Sequence, residues 1–410
     1  MIRAAPLLLI LLLEGCGDAA VEPDAEVPWD GHCCALPDVG LPDVQEIPDA
    51  WMREDRPELD PCLEVLDPGL EPAAQELTPD PPVQFIGISR DGSQIVYAHS
   101  ATSLSPIDTQ LYVFDLDDWH ESVVPTPPDA RPFSPTIHAK TVVWADQRFD
   151  PLTEDYRLEL MQYNVVSGTE TRLTDSPGAK TWPLLNEDFV LYHFSPEGTY
   201  SDELQLMERA TGAVTVLSPT SGASEGHSLG ERYAAWVALP PGTPYWNKDV
   251  YVYDLETGTE THLLSTATGL AYQTDVSGSR VVWMDDRHGD WDINLYDAET
   301  GQERLLTDNP YEQMSPRILG NLVTWSDYRY AHGSNDAWCP YDLVVHDLET
   351  GVSRRVTTAS WFWGAIRLEN GLLLAVRRAE RYGEEYKLYI FDLVDMGILD
   401  ASGEHVVSGP

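Results

Sequence analysis

Three residues at matching points of a repeated sequence could together hold a ligand. Aligning the units on the residue before a small or turn residue puts Thr136, Leu184, His227, Asp275, Arg317 and Ala365 in register. His227, Asp275 and Arg317 would then come from three consecutive units at one level, with Glu225 and Gln273 beside them. An imidazole, a carboxylate and a guanidinium so grouped can bind an anion, a carboxylated sugar or a metal ion. The plainer reading is a hydrated, mutually neutralising lining.

A second candidate is repeated outright. Trp144-Ala-Asp146-Gln-Arg148, Trp283-Met-Asp285-Asp-Arg287 and Trp325-Ser-Asp327-Tyr-Arg329 share one pattern. A single binding site needs asymmetry, so recurrence argues for structure. Each Asp is expected to accept hydrogen bonds from its loop, each Trp to fill the core between units, and each Arg to stack or pair between units. Asp285, Asp286, Asp290 and Asp292 crowd one hairpin but lack the glycine and terminal Glu of an EF-hand loop. No cofactor is expected; calcium or another divalent ion is the one the sequence leaves open, with no metal ligand assigned. Trp361 and Trp363, flanking Phe362, are candidates for stacking on a sugar or a protein partner, or for sealing the core. The irregular stretches Pro240 to Lys248 and Tyr328 to Tyr341 are further places for recognition. The chain shows no serine elbow, Cys/His pair, zinc helix motif or phosphate-cradling glycine loop, so no catalytic residue is assigned.

The elements that must position these residues are short strands. From Val83 onward a unit of about 45 residues recurs, each holding β-branched or aromatic runs bounded by turn residues. Unit five reads Thr274 to Val276, Arg280 to Trp283, Asp292 to Tyr296 and Glu303 to Leu306. Glu256-Thr-Gly258, Glu299-Thr-Gly301 and Glu349-Thr-Gly351 fall between third and fourth strands, where glycine supplies the positive φ of a tight turn. The pattern predicts an all-β fold, a β-propeller of four-stranded antiparallel blades, with seven blades favoured over six or eight. The seventh unit lacks a good fourth strand, and Gln75-Glu-Leu-Thr78 matches the outer strands elsewhere. This N-terminal strand is expected to complete the last blade, removing an exposed edge.

Ser89-Arg-Asp91-Gly92-Ser-Gln-Ile95-Val-Tyr97 resembles the Ser-Pro-Asp-Gly phrase of the TolB-like propellers, with Arg90 in place of the usual proline. The Trp-x-Asp-x-Arg, Asp-Leu-Glu-Thr-Gly and Leu-Thr phrases are similar to repeats of envelope and cell-surface propellers of that group. The resemblance covers Gln75 to Asp395 and implies a non-catalytic scaffold that binds an envelope protein or glycan. Some propellers of similar type bind metal through inner-strand histidines, which implies the alternative: a polysaccharide lyase or hydrolase with a metal or polar site in the channel. Fold alone does not decide between them.

Residues 1–16 read as an export signal: Arg3, an apolar run from Ala4 to Leu13, then Leu13-Glu14-Gly15-Cys16, which resembles a lipobox and implies lipidation at Cys16. Residues 17–74 are crowded with Asp, Glu and Pro and are expected to be a largely disordered tether. Residues 75–395 form the propeller and 396–410 a C-terminal tail. Cys33, Cys34, Cys62 and Cys339 are the disulfide candidates: a bridge from the tether to Cys339, or a vicinal Cys33–Cys34 pair. A net charge of −43 repels phosphate backbones and argues against nucleic acid. The expected protein is a monomeric lipoprotein, exported to the periplasm or cell surface, that meets the membrane through its lipid only.

Overall fold

The computed structural model describes residues 74–77, 84–100, 109–150, 155–197, 203–218, 225–240, 248–263, 269–330, 342–357, 362–369, 372–378, 386–396 and 399. The signal and tether, all five cysteines (Cys16, Cys33, Cys34, Cys62 and Cys339) and Trp361 lie outside the described residues, as do the side chains of Glu225 and Trp363.

The described strands form seven four-stranded antiparallel sheets, the seven blades of a β-propeller. An N-terminal strand β1 (Ala74–Glu76) precedes blade I, which comprises β2 (Gln84–Asp91), β3 (Gln94–Ser100), β4 (Thr109–Asp115) and β5 (His120–Val123). Blade II has β6 (Pro132–His138), β7 (Thr141–Asp150), β8 (Asp155–Asn164) and β9 (Thr169–Arg172). Blade III has β10 (Ala179–Leu185), β11 (Phe189–Ser195), β12 (Glu203–Glu208) and β13 (Val214–Ser218). Blade IV has β14 (Glu225–Leu229), β15 (Tyr233–Ala238), β16 (Asp249–Asp254) and β17 (Thr259–Leu263). Blade V has β18 (Ala271–Ser277), β19 (Arg280–Asp285), β20 (Asp292–Asp297) and β21 (Gln302–Leu305). Blade VI has β22 (Gln313–Leu319), β23 (Leu322–Asp327), β24 (Asp342–Asp347) and β25 (Ser353–Arg355). Blade VII has β26 (Phe362–Glu369), β27 (Leu372–Arg378) and β28 (Tyr386–Asp392), with β1 as its fourth strand.

Ring closure follows the sequence expectation. Ala74, Gln75 and Glu76 pair with Phe391, Ile390 and Tyr389, and the Leu77 amide donates to the Leu388 carbonyl at 2.9 Å. Arg90 is buried and donates to the Leu372 carbonyl at 3.2 Å, tying blade I to blade VII. Packing runs past the expected start of the tail, since Met396 and buried Leu399 join Leu373 and Phe391 in the core between blades VI and VII.

The second strands bury the most. Trp144 packs on Val96, Ala98, Leu111 and Val113 of blade I; Trp236 packs on Leu191, Leu204 and Leu206 of blade III. Trp283 meets Val250 and Val252 of blade IV, and Trp325 meets Val282, Ile293 and Leu295 of blade V. Each tryptophan therefore fills the gap to the preceding blade, and truncating one to Ala would cost about 3–5 kcal/mol. The Asp-x-Glu-Thr-Gly hairpins close by a shared device. Asp254 Oδ1 accepts from the Glu256 and Thr257 amides, while Gly258, at φ +70°, donates to the Asp254 carbonyl at 2.8 Å. A side-chain-bearing residue adopts that conformation at a cost, so glycine holds the position.

The candidate site on the innermost strands of blades III and IV

The first strands of consecutive blades contact one another around the ring and line its centre. In blades II to VI each carries a bulge at the same place. Two residues oppose one second-strand aromatic: Ser134-Pro135 face Trp144, Trp182-Pro183 face Tyr192, and Gly226-His227 face Trp236. Gln273-Thr274 face Trp283, and Ser315-Pro316 face Trp325. The first bulge residue has positive φ in every case: 48° at Ser134, 48° at Trp182, 58° at Gly226, 45° at Gln273 and 57° at Ser315. Four of these bear side chains in a region that costs them about 1–2 kcal/mol, and the wide aromatic opposite over-determines the kink.

This bulge corrects the alignment of the candidate residues. The residues just after it, paired with Val143, Leu191, Ala235, Val282 and Thr324, are Thr136, Leu184, Ser228, Asp275 and Arg317. His227 is the second bulge residue, equivalent to Thr274, and so stands one position away from Asp275 and Arg317. The two side chains at this position that can hydrogen-bond, Thr274 and His227, turn toward the preceding blade. Thr274 Oγ1 donates to the Gly226 carbonyl at 2.6 Å in blade IV, and His227 reaches blade III in the same way. Asp275 turns to the following blade, where its Oδ2 accepts from the Ile318 amide at 2.8 Å. Arg317 Nη1 donates to the Pro316 carbonyl at 3.0 Å. A period-2 strand shifted by one residue points the other way, so His227 turns to blade III while Asp275 turns to blade VI.

What gathers instead is Trp182, His193 and His227. His227 Nε2 donates to the Trp182 carbonyl at 2.9 Å, which makes its Nδ1 the acceptor for His193 Nε2 at 3.1 Å. The Trp182 ring stands edge-on to the His193 ring, with centroids 5.2 Å apart. Burial pushes His193 well below the ordinary imidazole range, helped by the proximity of His227. Desolvation likewise pushes His227 down to about 4, against the pull of the Trp182 carbonyl. Both rings are therefore neutral near pH 7. Trp182 is 39% exposed, the one bulge residue of the five with a large aromatic side chain. On the other side Gly226 lies against blade V so closely that a Cβ there would meet the Gln273 backbone at 2.6 Å. Gln273 Oε1 is buried and accepts no hydrogen bond from a described residue. The exposed indole, backed by two neutral imidazoles whose hydrogen bonds are made to one another and to the Trp182 carbonyl, can stack on an uncharged ring.

The repeated Trp-x-Asp-x-Arg residues are accounted for within their own blades. Trp144 Nε1 donates to Asp146 Oδ2 at 2.8 Å, Arg148 pairs with Asp146 at 2.7 Å, and Arg148 reaches Glu170 on the outer strand at 2.8 Å. Trp283, Asp285, Arg287 and Glu303 repeat this, with Trp283 to Asp285 at 2.8 Å and Arg287 to Glu303 at 2.7 Å. Trp325 donates to Asp327 at 3.0 Å and Arg329 pairs with Asp327 at 2.6 Å. Arg148 and Arg287 thus clamp second and fourth strands of one blade, and Arg329 pairs with the Asp327 beside it, where pairing between blades was an alternative expected from sequence. The Leu-Thr endings and their Val356-Thr357 counterpart fasten the third strands, since the Thr174, Thr307 and Thr357 hydroxyls accept from the Leu160, Ile293 and Leu343 amides at 2.9, 2.9 and 3.0 Å.

The acidic hairpin of blade V does not converge on one point. Asp285 serves Trp283, Asp286 accepts from the Leu270 amide at 2.7 Å, and Asp292 accepts from Thr307 at 3.0 Å. Among the described residues, no group of three or more His, Cys, Asp or Glu side chains is placed to hold a metal ion.

Sequence reasoning singles out neither Trp182 nor His193. The signal was present: Trp182-Pro183 occupies the place of Ser134-Pro135 and Ser315-Pro316, and proline after a positive-φ residue marks the bulge.

No family model matches the chain, and no curated protein matches it. Among solved structures, a puromycin hydrolase is similar at TM-score 0.57 and 17% identity over 76% of this chain; the chain spans about half of that protein, 52%. An oligogalacturonate lyase in complex with manganese is similar at TM-score 0.54 and 15% identity, covering 78% of this chain and 93% of that one. The β-propeller domain of the Trilobed protease from Pyrococcus furiosus, described as having an open velcro topology, is similar at TM-score 0.55 and 12% identity, covering 76% and 96%. At such identities these likenesses define one thing, a β-propeller, and here its last blade is completed by β1.

Proposed function

We propose that the chain is a non-catalytic, lipid-anchored envelope scaffold of TolB-like organisation that binds a neutral glycan at the bulges of blades III and IV. The observation that carries this reading is Trp182, an exposed indole on a channel-lining strand beside two neutral imidazoles. Indole faces stack on sugar rings, and the two neutral imidazoles behind Trp182 add no charge to the site. The net charge of −43 disfavours polyanionic chains and leaves uncharged ones acceptable.

The alternative, a polysaccharide lyase or hydrolase with a channel metal, has less support. Both His227 nitrogens are engaged, by Trp182 and His193, and Asp275 is engaged by Ile318, so recruiting them as ligands would break three hydrogen bonds.

The test is calorimetric titration of the full chain with maltotetraose, chitotetraose and tetragalacturonate. A neutral tetrasaccharide is expected to bind and the acidic one not, with no product formed on incubation. Turnover of any of the three would overturn the non-catalytic reading. For the anchor, Cys16→Ala is expected to leave the chain unacylated and in the soluble fraction; membrane recovery without acylation would contradict it.

A further inference from the structure

Outer strands of a propeller present unpaired backbone groups to solvent, and charged side chains keep other strands from docking there. Six of the seven outer strands here follow that rule: β5 reads His-Glu-Ser-Val, β9 Thr-Glu-Thr-Arg, β17 Thr-Glu-Thr-His-Leu, β21 Gln-Glu-Arg-Leu, β25 Ser-Arg-Arg and β1 Ala-Gln-Glu. The exception is β13, Val214-Thr-Val-Leu-Ser218, which has no charge. Val214 and Val216, two apart and so on one face, are 47% and 44% exposed. Beyond β13 no described strand continues the sheet. Its register is held from within, because Leu217 is buried with Trp236 and Ala234 of blade IV.

The surroundings of β13 are acidic. Glu203 and Glu208 bound the neighbouring strand β12, and Glu187 and Asp188 form the exposed hairpin beside it. The nearby cation, Arg209, is occupied by the Asn186 and Glu187 carbonyls at 2.8 and 2.6 Å. A groove of about 380 Å³ opens at the β12–β13 hairpin, between Gln162 and Leu173 of blade II and Met207 of blade III, with Glu187, Asp188 and Arg209 on its wall, two carboxylates to one guanidinium.

We propose that β13 is a docking edge for an extended, basic segment of a partner protein, which adds to blade III as a fifth strand. Backbone hydrogen bonds to β13 supply the pairing, apolar residues of the segment cover Val214 and Val216, and its Lys or Arg side chains meet the acidic rim and groove. The chain's own residues 17–74, crowded with Asp, Glu and Pro, and a second copy of net charge −43 both carry the wrong sign for this rim. The surface lies on the outer edge and does not depend on the glycan reading of the channel.

The test uses the full chain and a capped peptide, Lys-Val-Lys-Val-Thr-Val-Lys, with a counterpart carrying Glu for every Lys. Binding is read by fluorescence anisotropy, and its place by hydrogen exchange of the β13 amides. The basic peptide is expected to bind and to slow exchange at β13, and the acidic one to bind at least tenfold more weakly. Val216→Lys is expected to weaken the basic peptide at least tenfold, whereas Val216→Thr, which keeps a strand-forming side chain, stays within about threefold; both retain the parent thermal melting profile. Equal binding by the acidic peptide, unchanged binding to Val216→Lys, or exchange protection elsewhere would overturn the proposal. So would absence of binding, or a dimer of the chain that Val216→Lys dissolves, since that would assign the edge to a second copy.

Discussion

His193 donates to His227 through Nε2 to Nδ1 at 3.1 Å, and this bond exists because His227 sits in a bulge rather than in the regular strand. One inserted residue turns the His227 ring toward blade III, where His193 stands next to the aromatic of the neighbouring bulge, Tyr192.

That pair makes stability fall with acid. Both folded-state values are depressed below 6.5, so below pH 6.5 the unfolded chain binds more protons than the folded one. The stability contributed by the neutral pair is complete above pH 6.5 and is lost as pH falls toward 4, by up to about 3 kcal/mol for His227 alone. Urea denaturation between pH 4 and 8 should show this slope, and the double variant His193→Leu/His227→Leu should flatten it. An unchanged slope in the double variant would contradict the assignment.

Asp292 should act in the opposite sense. Its counterparts Glu159, Asp249 and Asp342 pair with Arg172, His262 and Arg355 at 3.1, 2.8 and 2.7 Å, but in blade V that position is Leu305. Burial and the neighbouring Asp308, Asp285 and Asp290 raise Asp292 to about 7, against the hydrogen bond from Thr307. Its protonated form favours the folded state, so this contribution is present below pH 3.8 and lost as pH rises through about 7. Asp292→Asn keeps an acceptor for Thr307 and should stabilise the protein by about 1–2 kcal/mol at pH 8, with little effect at pH 5. Thermal melting at the two pH values reads the difference.

The Trp–Asp–Arg groups should behave as structural equivalents. Asp146→Ala, Asp285→Ala and Asp327→Ala each strand a buried indole N–H and remove one carboxylate partner of an arginine, and each should cost about 1–3 kcal/mol. Denaturation midpoints of the three variants should fall together. A variant that keeps full stability but loses ligand binding would make the motif functional instead.

Arg90→Ala should loosen the junction between blades I and VII. It removes donors to the Gly92 and Leu372 carbonyls and should cost about 1–3 kcal/mol, with faster hydrogen exchange at Leu372 and in β1. Exchange unchanged in both places would show that β1 alone holds the ring closed.

The repeat made the architecture legible. Strand runs such as Arg280 to Trp283 and the Glu-Thr-Gly turns reveal their own geometry, and the unmatched outer strand of unit seven pointed to the N-terminal segment, with pairing observed at Ala74–Glu76 and the Leu77 amide. The site was less legible, because side-chain direction depends on register. A two-residue bulge between Glu225 and Ser228 leaves no mark in the spacing of the units, yet it moves His227 out of line with Asp275 and Arg317. Trp182 shares its residue type with the tryptophans that fill the core, such as Trp144, and only its place before Pro183, where blade II has Ser134-Pro135, sets it apart in the sequence.

The most direct test of the glycan reading is the affinity of the full chain carrying Trp182→Ala for whichever neutral tetrasaccharide binds the parent. Trp182 is exposed and its replacement leaves the inter-blade core intact, so the melting temperature should hold while binding weakens at least tenfold. Equal affinity of parent and variant, or no binding of a neutral tetrasaccharide by the parent, would contradict a glycan site at blades III and IV.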